Sequence, residues 1–163
     1  MKILIIGGTG TISSAITRQL AESEHELWLL NRGNRKQEVP ANVKQIIANI
    51  DDEADVLRQI GDTMFDAVCE FIGFVTEQVE RDHRLFAGRT RQYVYISSAS
   101  AYAKPVRNYI INEGTSLCNP HWEYSRNKIA CEELLMKYYR EEGFPVTIIR
   151  PSHTYCERSV PVG

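Results

Sequence analysis

The feature that most constrains this chain is a glycine turn lodged between an apolar run and an amphipathic segment. Lys2-Ile3-Leu4-Ile5-Ile6 is rich in β-branched residues and reads as a short buried strand. Gly7-Gly8-Thr9-Gly10 follows at once. From Thr11 to Leu20, small or apolar residues at Ile12, Ala15, Ile16 and Leu20 recur near the helical period. Glu26-Leu27-Trp28-Leu29-Leu30 is a second apolar run, closed by Asn31-Arg32-Gly33. Strand, glycine turn, helix and strand make one βαβ unit.

The turn has a physical purpose. A helix N-terminus leaves backbone N–H groups unpaired and carries partial positive charge, so phosphate binds there if nothing bulky intervenes. Gly7 and Gly10 remove obstructing side chains and are expected to allow positive φ. The usual dinucleotide fingerprint has a third glycine for close packing of helix on strand. Here the pattern is Gly7-x-x-Gly10-x-x-Ser13, with a small serine in that place. A tight turn with no ligand would look the same locally; the strand before and the helix after favour a ligand.

The 163 residues suffice for one domain with a sizeable core and are too few for two. A hydrophobic content of 43% with 25% charged residues is ordinary for a globular protein. The net charge of −2 offers no global attraction for nucleic acid, although Arg32, Arg35 and Lys36 cluster. Cys69, Cys118, Cys131 and Cys156 are far apart and suggest neither zinc nor a disulfide framework. Reduced thiols, no signal peptide and no apolar stretch of the ~20 residues a membrane span needs together imply a cytoplasmic protein.

Further along, Val43–Ala48 reads as a third strand. A helix starting at Asp51-Asp52 should stop at Gly61, and Phe65–Ile72 reads as a fourth strand. Thr76 is a candidate N-cap for a helix reaching Ala87. Tyr93–Ile96 is a fifth strand, Trp122–Glu142 a long helix ended by Gly143, and Val146–Ile149 a sixth strand. The alternation predicts an α/β fold, a doubly wound, Rossmann-type parallel sheet of about six strands with helices on both faces. Ligands in such sheets sit beyond the carboxyl ends of the strands.

The residues at those ends are therefore the candidates. After the second strand, an acid would bind the adenosine ribose and reject a 2′-phosphate. This chain has Asn31 and Arg32 instead, and the arginine fork suits phosphate. That favours NADP over NAD, while a merely solvated basic loop is the alternative. Asn49, past the third strand, is a candidate contact for the adenine, although polar residues are expected at strand ends in any case. Ser97-Ser98 ends the fifth strand. On the following helix Tyr124 and Lys128 are four apart and share a face. A nearby ammonium favours phenolate and lowers a tyrosine pKa, so the pair suits proton transfer.

Taken in order, these motifs resemble the extended short-chain dehydrogenases/reductases, the NAD(P)-dependent epimerase/dehydratase group. Gly7-Gly8-Thr9-Gly10-Thr11-Ile12-Ser13 is similar to its cofactor turn, and Tyr93 to Tyr102 to its fifth-strand motif. Tyr124-x-x-x-Lys128 is similar to its catalytic pair, and Ile149 to Tyr155 to the segment after its sixth strand. The resemblance implies Tyr124 as general acid/base, and Lys128 as the residue that lowers its pKa and holds the nicotinamide ribose. It implies Ser98 as a hydrogen-bond partner of the substrate oxygen. Gly7, Gly10, Thr11 and Ile12 would approach the pyrophosphate, and Pro151 and Ser152 would line the nicotinamide. No metal is expected.

The implied chemistry is hydride transfer with NADP or NAD, ending as a reduction or embedded in an epimerisation or dehydration of a nucleotide sugar. Members of this group usually continue into a smaller substrate-binding domain. The expectation is that residues 1–163 are the cofactor-binding domain and that the substrate domain is missing, leaving an uncovered sheet edge. Relatives often pair as homodimers through the helices after the fourth and fifth strands. The rival reading is a non-catalytic protein that senses NADP or binds RNA, since Asn31-Arg32-Gly33-Asn34 resembles a loop of plastid RNA-binding relatives; the acidic net charge counts against nucleic acid.

Overall fold

The β-branched run Lys2–Ile6 becomes β1, an inner strand of a single parallel sheet. The other strands are β2 (Glu26–Asn31), β3 (Lys44–Ile47), β4 (Ala67–Glu70), β5 (Tyr93–Ile96) and β6 (Val146–Ile149). Their spatial order is β3-β2-β1-β4-β5-β6, and every ladder is parallel. The helices are α1 (Thr11–Ala21), α2 (Glu53–Ile60), α3 (Thr76–Phe86) and α4 (Glu123–Glu142). This computed structural model describes residues 1–34 and 39–155, so Arg35, Lys36 and Cys156 lie outside the described residues. The chain winds outward from β1 to β3, then crosses back to β4. The topological switch point therefore opens between β1 and β4, where doubly wound sheets bind ligands.

Alternation along the strands sorts the core into two layers. Ile3, Ile5, Leu27 and Leu29 meet Ile16 and Leu20 of α1. Leu4, Ile6 and Leu30 face the opposite side, with Val56 of α2, Val79 and Phe86 of α3, and Cys131 and Leu135 of α4. Helices cover both faces as expected, but three share one layer and α1 holds the other. Toward β6 the α1 side thins out: Ile148 packs on the three-helix layer, whereas Ile149 is 46% exposed.

The helix ends follow local chemistry. Asp52 caps α2 by accepting from the Asp55 N–H at 3.1 Å, and Gly143 ends α4 in the left-handed region. Thr76 does not cap α3. It is the first helical residue, and the cap position is Val75, which has no capping side chain. The longer Gln78 side chain reaches back instead, its Oε1 accepting from Phe74 N (2.6 Å) and Val75 N (3.2 Å). β4 is also shorter than the apolar run Phe65–Ile72. Phe65 makes only an isolated bridge to Thr90, and past Glu70 the backbone turns into the switch-point crevice. Val43 and Ala48 likewise flank β3 rather than join it. Among the described residues, no helix is long and apolar enough to cross a membrane.

Candidate active site

A groove of about 1110 Å³ runs across the carboxyl ends of the strands. Gly7, Gly10, Thr11 and Ile12 line its middle. Asn31, Arg32 and Asn49 line the β2–β3 end. Ser98, Tyr124, Lys128, Pro151 and Ser152 line the β5–β6 end. The fold thus brings these candidate residues together on one surface.

The glycine turn differs in detail from expectation. Gly7 does sit at φ +79°, and a Cβ there would fall 2.4 Å from Ile72 Cγ2. Gly10 does not need positive φ; its φ is −84°. The close-packing role falls to Gly8, where a Cβ would lie 1.9 Å from Leu29 Cδ1. Ser13 acts as a tie rather than a spacer. Its hydroxyl donates to Gly7 O at 2.7 Å and accepts from Gly10 N at 2.9 Å. The first turn of α1 carries no acidic side chain, so the positive end of the helix faces the groove unopposed. A bare cradle above a helix N-terminus suits a pyrophosphate.

At the β2 end Arg32 is exposed, and Asn31 folds its Oδ1 onto Gly33 N at 2.7 Å. Across the groove stands Asp51, whose carboxylate takes the Arg81 guanidinium at 2.7 Å.

The other end is drier. Lys128 is 1% exposed on α4. Its Nζ donates to Gly73 O and to Ile96 O, each at 2.7 Å. It stands 4.6 Å from the Tyr95 ring centre, 4.9 Å from Phe74 and 5.8 Å from Tyr124. Burial brings the Lys128 pKa down to about 8. Tyr124 moves the opposite way from the sequence expectation. Burial raises its pKa, and the lowering contribution is the Ser98 hydroxyl hydrogen-bonded to it. The reason is geometric: the ammonium aims at two backbone carbonyls, not at the phenol. Ser98 also caps the short 3-10 turn Ala99–Ala101 by accepting from Ser100 N at 3.1 Å.

The exit of β6 is braced from behind. Arg150 forks onto Glu132 with contacts of 2.7–3.1 Å and donates to the Tyr102 hydroxyl at 3.2 Å. Glu132 also holds the Ser97 hydroxyl. The adjoining Pro151 carbonyl accepts from Ala99 N at 2.9 Å, which fixes Pro151 and Ser152 at the groove edge.

Sequence reasoning missed several lining residues. Trp122 is 55% exposed and packs against Tyr124 with ring centres 4.8 Å apart; Phe74 is 44% exposed, with its ring centre 6.3 Å from Tyr124. Arg81 and Asp51 were missed as well. The position of Trp122 two residues before Tyr124 was a usable signal; nothing in the sequence pointed to Arg81.

Comparison with known proteins agrees with this fold. The profile of the NAD dependent epimerase/dehydratase family matches residues 3–161. A UDP-glucose 4-epimerase of Lactobacillus helveticus is 27% identical over 170 residues, covering 92% of this chain and 51% of the relative. The fold is similar to that of the UDP-Glc/GlcNAc 4-epimerase of Campylobacter jejuni, with a TM-score of 0.79, 22% identity, 91% of this chain covered and 52% of that one. It is also similar to the dTDP-glucose 4,6-dehydratase of Bacillus anthracis solved in complex with NAD: TM-score 0.77, 19% identity, 92% and 54% covered. The chain therefore spans about half the length of the relatives it matches.

Proposed function

The chain belongs to the NAD dependent epimerase/dehydratase family, and from that premise we propose that it forms the dinucleotide-binding part of an enzyme that acts on a nucleotide sugar, with Tyr124 as general acid/base. The observation that carries this reading is the shared groove: a bare glycine cradle at its middle, and Ser98, Tyr124 and Lys128 at one end. The similarity to a UDP-glucose 4-epimerase supports the substrate class.

A bound dinucleotide would supply hydride transfer. Gly7, Gly10, Thr11 and Ile12 would seat its pyrophosphate, Asn49 would face its adenine, and Pro151 and Ser152 would flank its nicotinamide. Arg32, exposed on the groove at the end of β2, would pair with a 2′-phosphate, which is the reason to favour NADP over NAD. Ser98 orients the substrate hydroxyl toward the Tyr124 oxygen. Tyr124 takes the hydroxyl proton as substrate is oxidised and returns it on reduction. Lys128 is still mostly protonated at pH 7 and contributes positive charge from beneath the tyrosine ring. Its charge becomes more effective as substrate and cofactor exclude water.

The test is Tyr124→Phe, assayed for hydride transfer between NADPH or NADH and UDP-sugars, with cofactor affinity measured by titration calorimetry. Turnover should fall by about 100-fold or more while affinity for the dinucleotide changes less than about twofold. Retained turnover would remove Tyr124 from the mechanism, and absence of dinucleotide binding would remove the cofactor reading.

A further inference from the structure

A carboxyl group lies at the centre of the sheet, where strands of this kind carry hydrocarbon. Glu70 is the last residue of β4, paired with Ile6 on one side and Tyr95 on the other, and its side chain is fully buried. Burying an acid costs several kcal/mol unless its surroundings provide for it. They do so unequally. Oε1 accepts from the Ile72 N–H. Oε2 lies 3.7 Å from Arg81 Nη2, and the Glu70 carboxyl shares a hydrogen bond with Asp82. Arg81 gives its fork to Asp82 at 2.7–2.9 Å and to Asp51 at 2.7 Å, while the Tyr93 hydroxyl donates to Asp82 at 2.6 Å. One guanidinium thus faces two buried carboxyls, and Asp82 has the better claim.

The backbone that Glu70 holds is the backbone that Lys128 uses. Gly73 rests on the Glu70 side chain: a Cβ there would be 3.2 Å from Glu70 Cγ and 3.1 Å from the Tyr95 ring. The Gly73 carbonyl accepts from Lys128 Nζ at 2.7 Å and from the Tyr95 hydroxyl at 2.9 Å. We propose that Glu70 is a positioning residue for Lys128, acting through the Ile72–Gly73 turn it anchors. Burial and the neighbouring Asp82 carboxylate hold the Glu70 acid well above the ordinary carboxyl range, which keeps the proton there. Lys128 is then set by that turn from one side, and the groups facing it are Tyr95 of β5, Tyr124, Cys131 and Glu132 of α4, and Glu70 itself.

The proposal rests on the reading of Lys128 as part of the active site, but its test does not use turnover. The Lys128 titration is followed by competitive amine labelling against pH in the free chain, with a midpoint expected near 8. Glu70→Gln keeps a neutral acceptor for Ile72 and should leave the midpoint within about 0.3 units. Glu70→Leu removes the acceptor and should lower it by about one unit, because a slack Gly73 carbonyl stabilises the ammonium less. Equal shifts in both variants would mean that Glu70 acts by its charge, and no shift in either would mean that the turn does not set Lys128; each overturns the proposal. Should the leucine variant fail to fold, hydrogen exchange of the Ile72 amide in the unaltered chain decides. Protection of at least about 100-fold is expected, and exchange at free-loop rates overturns the anchor. A chain that binds no dinucleotide yet shows this labelling pattern would fail the enzyme reading and keep this one.

Discussion

Lys128 shows how one side chain is tuned by depth. Its four-carbon stem carries the ammonium to 1% exposure, where two carbonyls and three aromatic faces replace water. Burial wins over those contacts, so the pKa falls to about 8. Arg32 is the opposite case, an exposed guanidinium at the mouth of the groove with no buried work to do. Its proposed contact to a 2′-phosphate is a charge-assisted one on a single ligand group. Arg32→Ala should therefore weaken NADPH binding by about tenfold and leave NADH binding nearly unchanged, read by paired calorimetric titrations. Equal loss for both cofactors would make Arg32 a general contact.

At the scale of the element, the glycine turn and β4 respond to different forces. Gly8 is fixed by packing: the Leu29 methyl occupies the space a side chain would need. Gly8→Ala should cost at least about 2 kcal/mol by urea unfolding, since either β2 or α1 must shift. β4 is governed by proton linkage. The Glu70 carboxyl is raised in the fold, so the native state holds a proton that the unfolded chain releases above about pH 4.3. That contribution is complete below pH 4.3 and is lost as pH rises toward the folded value. Glu70→Gln has no proton to lose. Its stability relative to the unaltered chain should climb with pH above about 4.5, by up to ~1.4 kcal/mol per unit. A difference that is flat with pH would show that Glu70 is ionised in the fold.

On the scale of the whole molecule, the two faces of the sheet are covered unevenly. Leu135 lies in the three-helix layer at 0% exposure, whereas Ile149 is 46% exposed on the α1 side of β6. Leu135→Ala should cost about 2–5 kcal/mol, and Ile149→Thr less than about 0.5 kcal/mol, measured in one set of denaturation curves. A cost at Ile149 as large as that at Leu135 would show that something covers β6.

The sequence by itself determined the parts whose physics is local. The apolar runs that become β1 and β2, the acid that caps α2, the glycine that ends α4 and the i, i+4 spacing of Tyr124 and Lys128 all depend on near neighbours. So did the placing of the candidate residues at one end of a parallel sheet, because alternating strands and helices leave few other topologies. Tertiary structure decided what depends on residues far apart in the chain. The Leu29 methyl makes Gly8 the tight position, and the Gly73 and Ile96 carbonyls draw the Lys128 ammonium away from the phenol. The Glu70, Arg81 and Asp82 cluster joins two elements into a buried network. Burial and long-range charge pairing are properties of the assembled fold, and no window of sequence contains them.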